Sequence, residues 1–112
     1  MEKLAWMNLL YDFYGQLLTQ RQQKFVELYY AHDFSLGEIA EQFGVSRQAV
    51  HDVLKRAEHI LTRYEEKLGL VAKFMDQRRQ VGEALALLDN SNNSLDEKTL
   101  MRVREILRSI MG

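Results

Sequence analysis

Leu36-Gly-Glu-Ile-Ala-Glu-Gln-Phe-Gly-Val-Ser-Arg-Gln-Ala-Val-His-Asp-Val-Leu-Lys-Arg56 carries the most specific pattern in the chain. A small residue, Ala40, is followed four positions later by Gly44. The β-branched Val50 and Val53 come six and nine positions after that. This spacing predicts a helix-turn-helix. Ala40 falls where two helices cross closely, and a larger side chain there would push them apart. Gly44 falls in the tight turn, where a positive φ costs glycine little. Ile39, Phe43, Val45, Val50 and Val53 bind the pair to the helix before it. Ser46 caps the second helix and leaves its first turn free to enter a groove. The alternative is two ordinary packed helices joined by a glycine turn.

Working outward, the same punctuation recurs. Ser35 with Glu38 has capping-box spacing and starts a helix at 36–43; Thr19 with Gln22 starts another at 20–31. The face of that earlier helix is Phe25, Val26, Leu28 and Tyr29. Before it, a helix over 3–14 is apolar through a wide arc, from Leu4, Trp6 and Met7 to Phe13 and Tyr14, and Gly15 ends it. Such a helix must be covered on several sides. The helix after Ser46 meets no breaker until Gly69, a length of roughly 33 Å at 1.5 Å per residue.

Beyond Gly69, a helix over 70–89 carries Leu70, Phe74, Val81, Leu85 and Leu88 near one stripe. A polar loop, Asp89-Asn-Ser-Asn-Asn-Ser94, comes next. Ser94 with Glu97 forms a third capping box, and a helix over 95–111 presents Leu100, Val103, Leu107 and Ile110. Two stripes joined by a short loop predict an antiparallel hairpin. The expected class is all-α: a helix-turn-helix domain at 1–69 and a C-terminal helical hairpin at 70–112 that serves as an oligomerisation element.

Composition excludes several classes. The 112 residues are 46% hydrophobic, enough for a core, and contain neither proline nor cysteine. Without cysteine there is no disulfide and no thiolate metal site, which fits a cytoplasmic protein. The N-terminus lacks the basic and apolar segments of a signal peptide, and no stretch approaches the about 18 apolar residues of a membrane span. Net charge is −1; residues 1–69 hold 8 basic and 10 acidic side chains, and residues 70–112 hold 7 and 6. Duplex binders are usually more basic, because phosphate neutralisation supplies much of their affinity.

The candidate interface is the start of the second motif helix: Ser46, Arg47, Gln48, His51, Asp52, Lys55 and Arg56, with Ala40, Gly44 and Val50 as the structural motif. Arginine bonds guanine and glutamine bonds adenine in the major groove. Lys55, Arg56 and Arg63 are placed to meet phosphates. Asp52 repels phosphate unless it accepts from a cytosine or pairs with Lys55 or Arg56. The competing view of all these residues is a solvated helix face. His32, His51 and His59 form no ligand set, and no carboxylate pair, nucleophile constellation or phosphate loop is present, so neither an enzyme nor a bound metal or cofactor is expected. Tyr29-Tyr30 reads as core sooner than as a base-stacking pair, with Tyr29 on the core stripe. Arg78-Arg79 reads as a solvated face sooner than as an RNA or acidic-partner contact.

Leu18-Thr-Gln-Arg-Gln, Ser35-Leu-Gly-Glu-Ile-Ala and Phe43-Gly-Val-Ser-Arg47 resemble region 4 of bacterial sigma factors, which reads promoter DNA with its second motif helix. The match places Arg47, Gln48, His51 and Asp52 at the base-reading positions; His51 and Asp52 depart from the Arg and Gln common there. Sigma regions 1 to 3 have no counterpart. Over nearly its whole length, and through Asn8-Leu-Leu-Tyr-Asp-Phe-Tyr-Gly15 and Ser46-Arg-Gln-Ala-Val-His-Asp52, the chain resembles the YlxM family of small bacterial helix-turn-helix proteins. That resemblance implies a Gram-positive source and a link to the signal recognition particle pathway. The expected function is a nucleic-acid-binding regulatory protein linked to that pathway, and the apolar first helix and the narrow stripes of the hairpin point to a homodimer. The alternative is a module that binds the particle's protein or RNA without reading DNA sequence.

Overall fold

A computed structural model describes residues 2–90 and 96–112. The elements are α1 (Lys3–Tyr14), a 3-10 turn (Gly15–Leu17), α2 (Gln20–Val26) continued by a π turn (Glu27–Ala31), α3 (Leu36–Phe43), α4 (Arg47–Leu68), α5 (Leu70–Asp89) and α6 (Glu97–Met111). The protein is all-α, as its sequence predicts. It divides into two compact units, Met1–Val71 and Ala72–Gly112.

In the first unit, capping sets the frame. Thr19 Oγ1 accepts from the Gln22 amide at 3.1 Å while Gln22 Oε1 accepts from the Thr19 amide at 3.0 Å. Ser35 and Glu38 form the same reciprocal pair, both bonds 3.0 Å. Each box satisfies amides that a helix start leaves without partners. The core is built on α4, whose buried Val50, Leu54, Ala57 and Leu61 recur at four, three and four residues. One stripe of α4 therefore packs on α1, α2 and α3. Leu10, Tyr14, Phe25, Val26, Ile39 and Val71 complete that core, and Phe43 meets the Phe25 ring edge-on at 4.9 Å.

Three tyrosine hydroxyls pin these helices through carboxylates. Tyr11 donates to Glu27 at 2.5 Å, Tyr14 to Glu65 at 2.6 Å and Tyr30 to Glu58 at 2.6 Å. Such charge-assisted bonds are stronger than neutral ones. Burial and the adjacent carboxylate raise all three phenols, Tyr11 to about 12. Burial alone would raise Glu58, but the Tyr30 hydroxyl, then Lys3 at 3.2 Å and Lys55, outweigh it and hold its carboxyl below 4.5. The Tyr14–Glu65 pair also caps α5: Tyr14 Oη accepts from the Leu70 amide at 3.1 Å, and Glu65 Oε1 from the Val71 amide at 3.0 Å.

Two readings of the sequence are corrected by the structure. The 20–31 helix is α-helical only to Val26; the π turn inserts a residue and rotates the side chains after it. Tyr30, not Tyr29, is therefore the buried ring, and Tyr29 is half-buried. Asp33, with φ 59°, takes the left-handed position that closes the turn, and the Phe34 amide reaches back to the Leu28 carbonyl at 2.9 Å. As expected, Gly15 ends α1; it lies in the right-handed region and leads into the 3-10 turn. Its missing side chain makes room for the Tyr11 ring, which lies 2.7 Å from where a Cβ would sit. Secondly, α6 starts at Glu97, with Asp96 as its cap, accepting from the Thr99 amide at 2.7 Å. Ser94 and most of the predicted polar loop lie outside the described residues.

The second unit is a helical hairpin with a thin core: Ala84, Val103 and Ile106, flanked by Leu87 and Ile110. Arg102 bonds Glu83 across it at 2.8 Å. The inward face of α5 is thus Ala84 and Leu87, one position off the predicted Leu85–Leu88 stripe. Leu85 is 55% exposed, and Val81, Leu88 and Leu107 are exposed with it. Phe74, Val81, Leu85 and Ile110 line an open groove of about 490 Å³.

Candidate nucleic-acid interface

The turn between α3 and α4 begins with Gly44 at φ 65°, ψ 36°. Its amide points back to the Glu41 carbonyl at 3.4 Å, and the Val45 amide to the Ala40 carbonyl at 3.0 Å. These two bonds satisfy two of the last four carbonyls of α3, and a residue with a Cβ would hold this conformation only under strain. Ser46 then takes an extended conformation, and its Oγ accepts from the Ala49 amide at 3.0 Å. Beneath the turn, Ala40 is 5% exposed and Val50 fully buried. Ile39 is buried, while Phe43, Val45 and Val53 are half-buried.

The opposite face of α4 is open. Ser46, Arg47, Gln48, Asp52, Lys55 and Arg56 are exposed, and His51 is half-buried. Gln48 donates to Asp52 Oδ1 at 2.9 Å, one turn along the helix. Asp52 therefore has Gln48 as its partner, in place of the Lys55 or Arg56 offered by the sequence. His51 Nδ1 lies 3.5 Å from the same carboxylate oxygen and makes no hydrogen bond. Lys55 lies 3.7 Å from Glu58, which Lys3 and Tyr30 already hold. Arg56 and Arg63 make no ion pair among the described residues.

The exposed stripe runs on through His59, Arg63 and Lys67 at helical spacing. Sequence reasoning stops at Arg63 and misses Lys67, although the i, i+4 repeat from Arg63 points to it. It also misses Gly37 in α3, against which the Arg47 guanidinium lies at 3.0 to 3.3 Å from a Cβ position. Contact of this kind between two helices leaves no pattern in a sequence. The assembled surface is a capped helix start carrying a cation, an amide, an imidazole and a carboxylate, backed by a basic strip. It can donate to and accept from base edges and meet phosphates. Among the described residues no His, Cys, Asp or Glu group is arranged to hold a metal ion, and no helix is long and apolar enough to cross a membrane.

Residues 1–102 match the model of the UPF0122 family, described as a helix-turn-helix protein, YlxM / p13 like. A UPF0122 protein of Desulforamulus reducens is 53% identical over 111 residues, covering 99% of this chain and 95% of the relative. One from Geobacillus kaustophilus is 49% identical over 106 residues, with 95% and 96% covered. Another, from Listeria welshimeri, is 48% identical over 108 residues, with 94% and 97% covered. The turn at Gly44, the buried Ala40 and Val50 beneath it, and this full-length likeness agree, and the chain belongs to the UPF0122 family of YlxM / p13-like helix-turn-helix proteins.

Proposed function

We propose that this is a cytoplasmic nucleic-acid-binding regulator of a Gram-positive bacterium, tied to the signal recognition particle pathway or its gene expression. It presents the first turns of α4 to a DNA groove. The carrying observation is the exposed, Ser46-capped start of α4, with Arg47, Gln48, His51 and Asp52 outward and Lys55 and Arg56 beside them. Arg47 and Gln48 read base edges, Asp52 accepts from an exocyclic amine, and Lys55, Arg56 and Arg63 meet phosphates. The test is a salt titration of binding to duplex DNA and to the particle's RNA. A steep negative slope of log affinity against log salt for DNA alone is expected.

The second reading is a module for the particle's protein or RNA that reads no DNA sequence. It is favoured by one observation: Asp52 stands exposed in the reading face of a unit with 8 basic and 10 acidic residues in its first 69 positions. Tighter, equally salt-dependent binding to the RNA supports it instead.

The regulator acts as a homodimer through the 72–112 hairpin. Support comes from the apolar Val81, Leu85, Leu88 and Leu107, left exposed beside a thin core. Leu85→Glu with Leu107→Glu should convert the full-length dimer to a folded monomer by light scattering. A wild-type monomer at micromolar concentration, or a variant that still dimerises, contradicts it.

A further inference from the structure

Gly37 is the second residue of α3, and its φ is not in the left-handed region. Backbone conformation therefore does not require glycine there. Glycine also weakens a helix relative to alanine, because it loses more freedom on folding. The space beside it is taken by Arg47. Its Nε, Nη2 and Cζ lie 3.0, 3.2 and 3.3 Å from the place a Cβ would occupy. Gly82, also inside a helix, has nothing within 4 Å of its Cβ position. Among the described residues Arg47 makes no ion pair that would hold it otherwise.

We infer that Gly37 is the positioning residue for Arg47. The bare first turn of α3 is the platform on which the guanidinium rests, so the cation is held against α3 beside the start of α4 before any ligand arrives. An arginine ordered in advance loses less side-chain freedom on binding. This rests on reading the start of α4 as the nucleic-acid face. A methyl at position 37 forces the guanidinium aside by tenths of an ångström; a longer side chain displaces it. The fold itself tolerates both, because the atoms that must move end a flexible side chain.

Gly37→Ala and Gly37→Gln in the full chain, each with and without Arg47→Ala, test this. The readouts are Tm, the Arg47 Nε–Hε resonance and affinity for a mixed-sequence DNA duplex. Tm should rise by about 2–5 °C in both variants, since a helix gains a better former. The Arg47 resonance should move toward that of a free arginine, further for Gln than for Ala. Duplex Kd should weaken about threefold for Ala and about tenfold for Gln, with no further loss in the Arg47→Ala background. An unmoved Arg47 resonance overturns the inference. So does a fall in Tm, or an equal loss of affinity when Arg47 is already alanine. If Arg47→Ala alone leaves duplex affinity unchanged, the nucleic-acid reading fails, while the resonance still decides what Gly37 does.

Discussion

The two units differ in how deep a core they build, although both leave large apolar side chains exposed: Leu4, Phe13, Leu17 and Leu68 in the first, Leu85, Leu88 and Leu107 in the second. In Met1–Val71, Leu10, Tyr14, Phe25, Ile39, Val50 and Leu61 are almost wholly buried around α4, and three Tyr–Glu bonds tie the helices across sequence separations of 16, 28 and 51. In Ala72–Gly112 the core is Ala84, Val103 and Ile106, and Leu85, Leu88 and Leu107 face outward. The first unit closes its own core. The second has a smaller buried core and leaves Val81, Leu85, Leu88 and Leu107 exposed.

The largest effect that tests this contrast comes from truncating matched apolar side chains. Phe25→Ala should destabilise the first unit by about 3–5 kcal/mol, because it empties a closed core. Leu85→Ala should leave the stability of the monomer within about 0.5 kcal/mol, since the side chain is 55% exposed. Denaturant unfolding of the two variants measures both. Equal losses would erase the contrast.

Next in size is Ala40→Leu. Ala40 is buried under the turn between α3 and α4, and three further carbon atoms there should cost about 1–3 kcal/mol through overpacking. An unchanged denaturation midpoint would mean that the motif pair is not closely packed at this residue.

A smaller effect lies in the pH dependence of the first unit. The folded Glu58 carboxyl sits below its ordinary 4.5. Its contribution is complete above that value and is lost as pH falls through the folded pKa. The Tyr11, Tyr14 and Tyr30 phenols sit above 10.0, so theirs is complete below pH 10 and is lost as pH rises, for Tyr11 through about 12. Stability should therefore be level from mildly acidic to mildly alkaline pH and fall at both ends. Glu58→Gln should flatten the acid limb, and Tyr11→Phe part of the alkaline one. Urea midpoints across pH check this; an acid limb unaltered in Glu58→Gln would mean that Glu58 does not set it.

Interaction range decides which features are legible in the sequence. The capping boxes, Gly44 and the bounds of α1, α3, α4 and α5 are local, and each can be read from residues a few positions apart. The π turn at Glu27–Ala31 has no such signature, because an inserted residue changes register without changing composition, and so the periodicity points to Tyr29 in place of Tyr30. The Tyr–Glu bonds join residues too far apart in sequence to be paired in advance. In the hairpin, reading by side-chain size favours Leu85 and Leu88, whereas helices pack closely where the side chain is small, as at Ala84. At the candidate interface the exposed face of α4 is legible from the motif. The Gln48–Asp52 bond and the Arg47–Gly37 contact are not, since both depend on rotamers.

We propose that the start of α4 reads a nucleic acid while the fold stands without those side chains. The most direct test is Arg47→Ala, measured for affinity to the duplex selected by the wild-type protein and for Tm. Specific binding should weaken by about 1–3 kcal/mol with Tm unchanged. A variant that binds every tested DNA and RNA as the wild type does would contradict it.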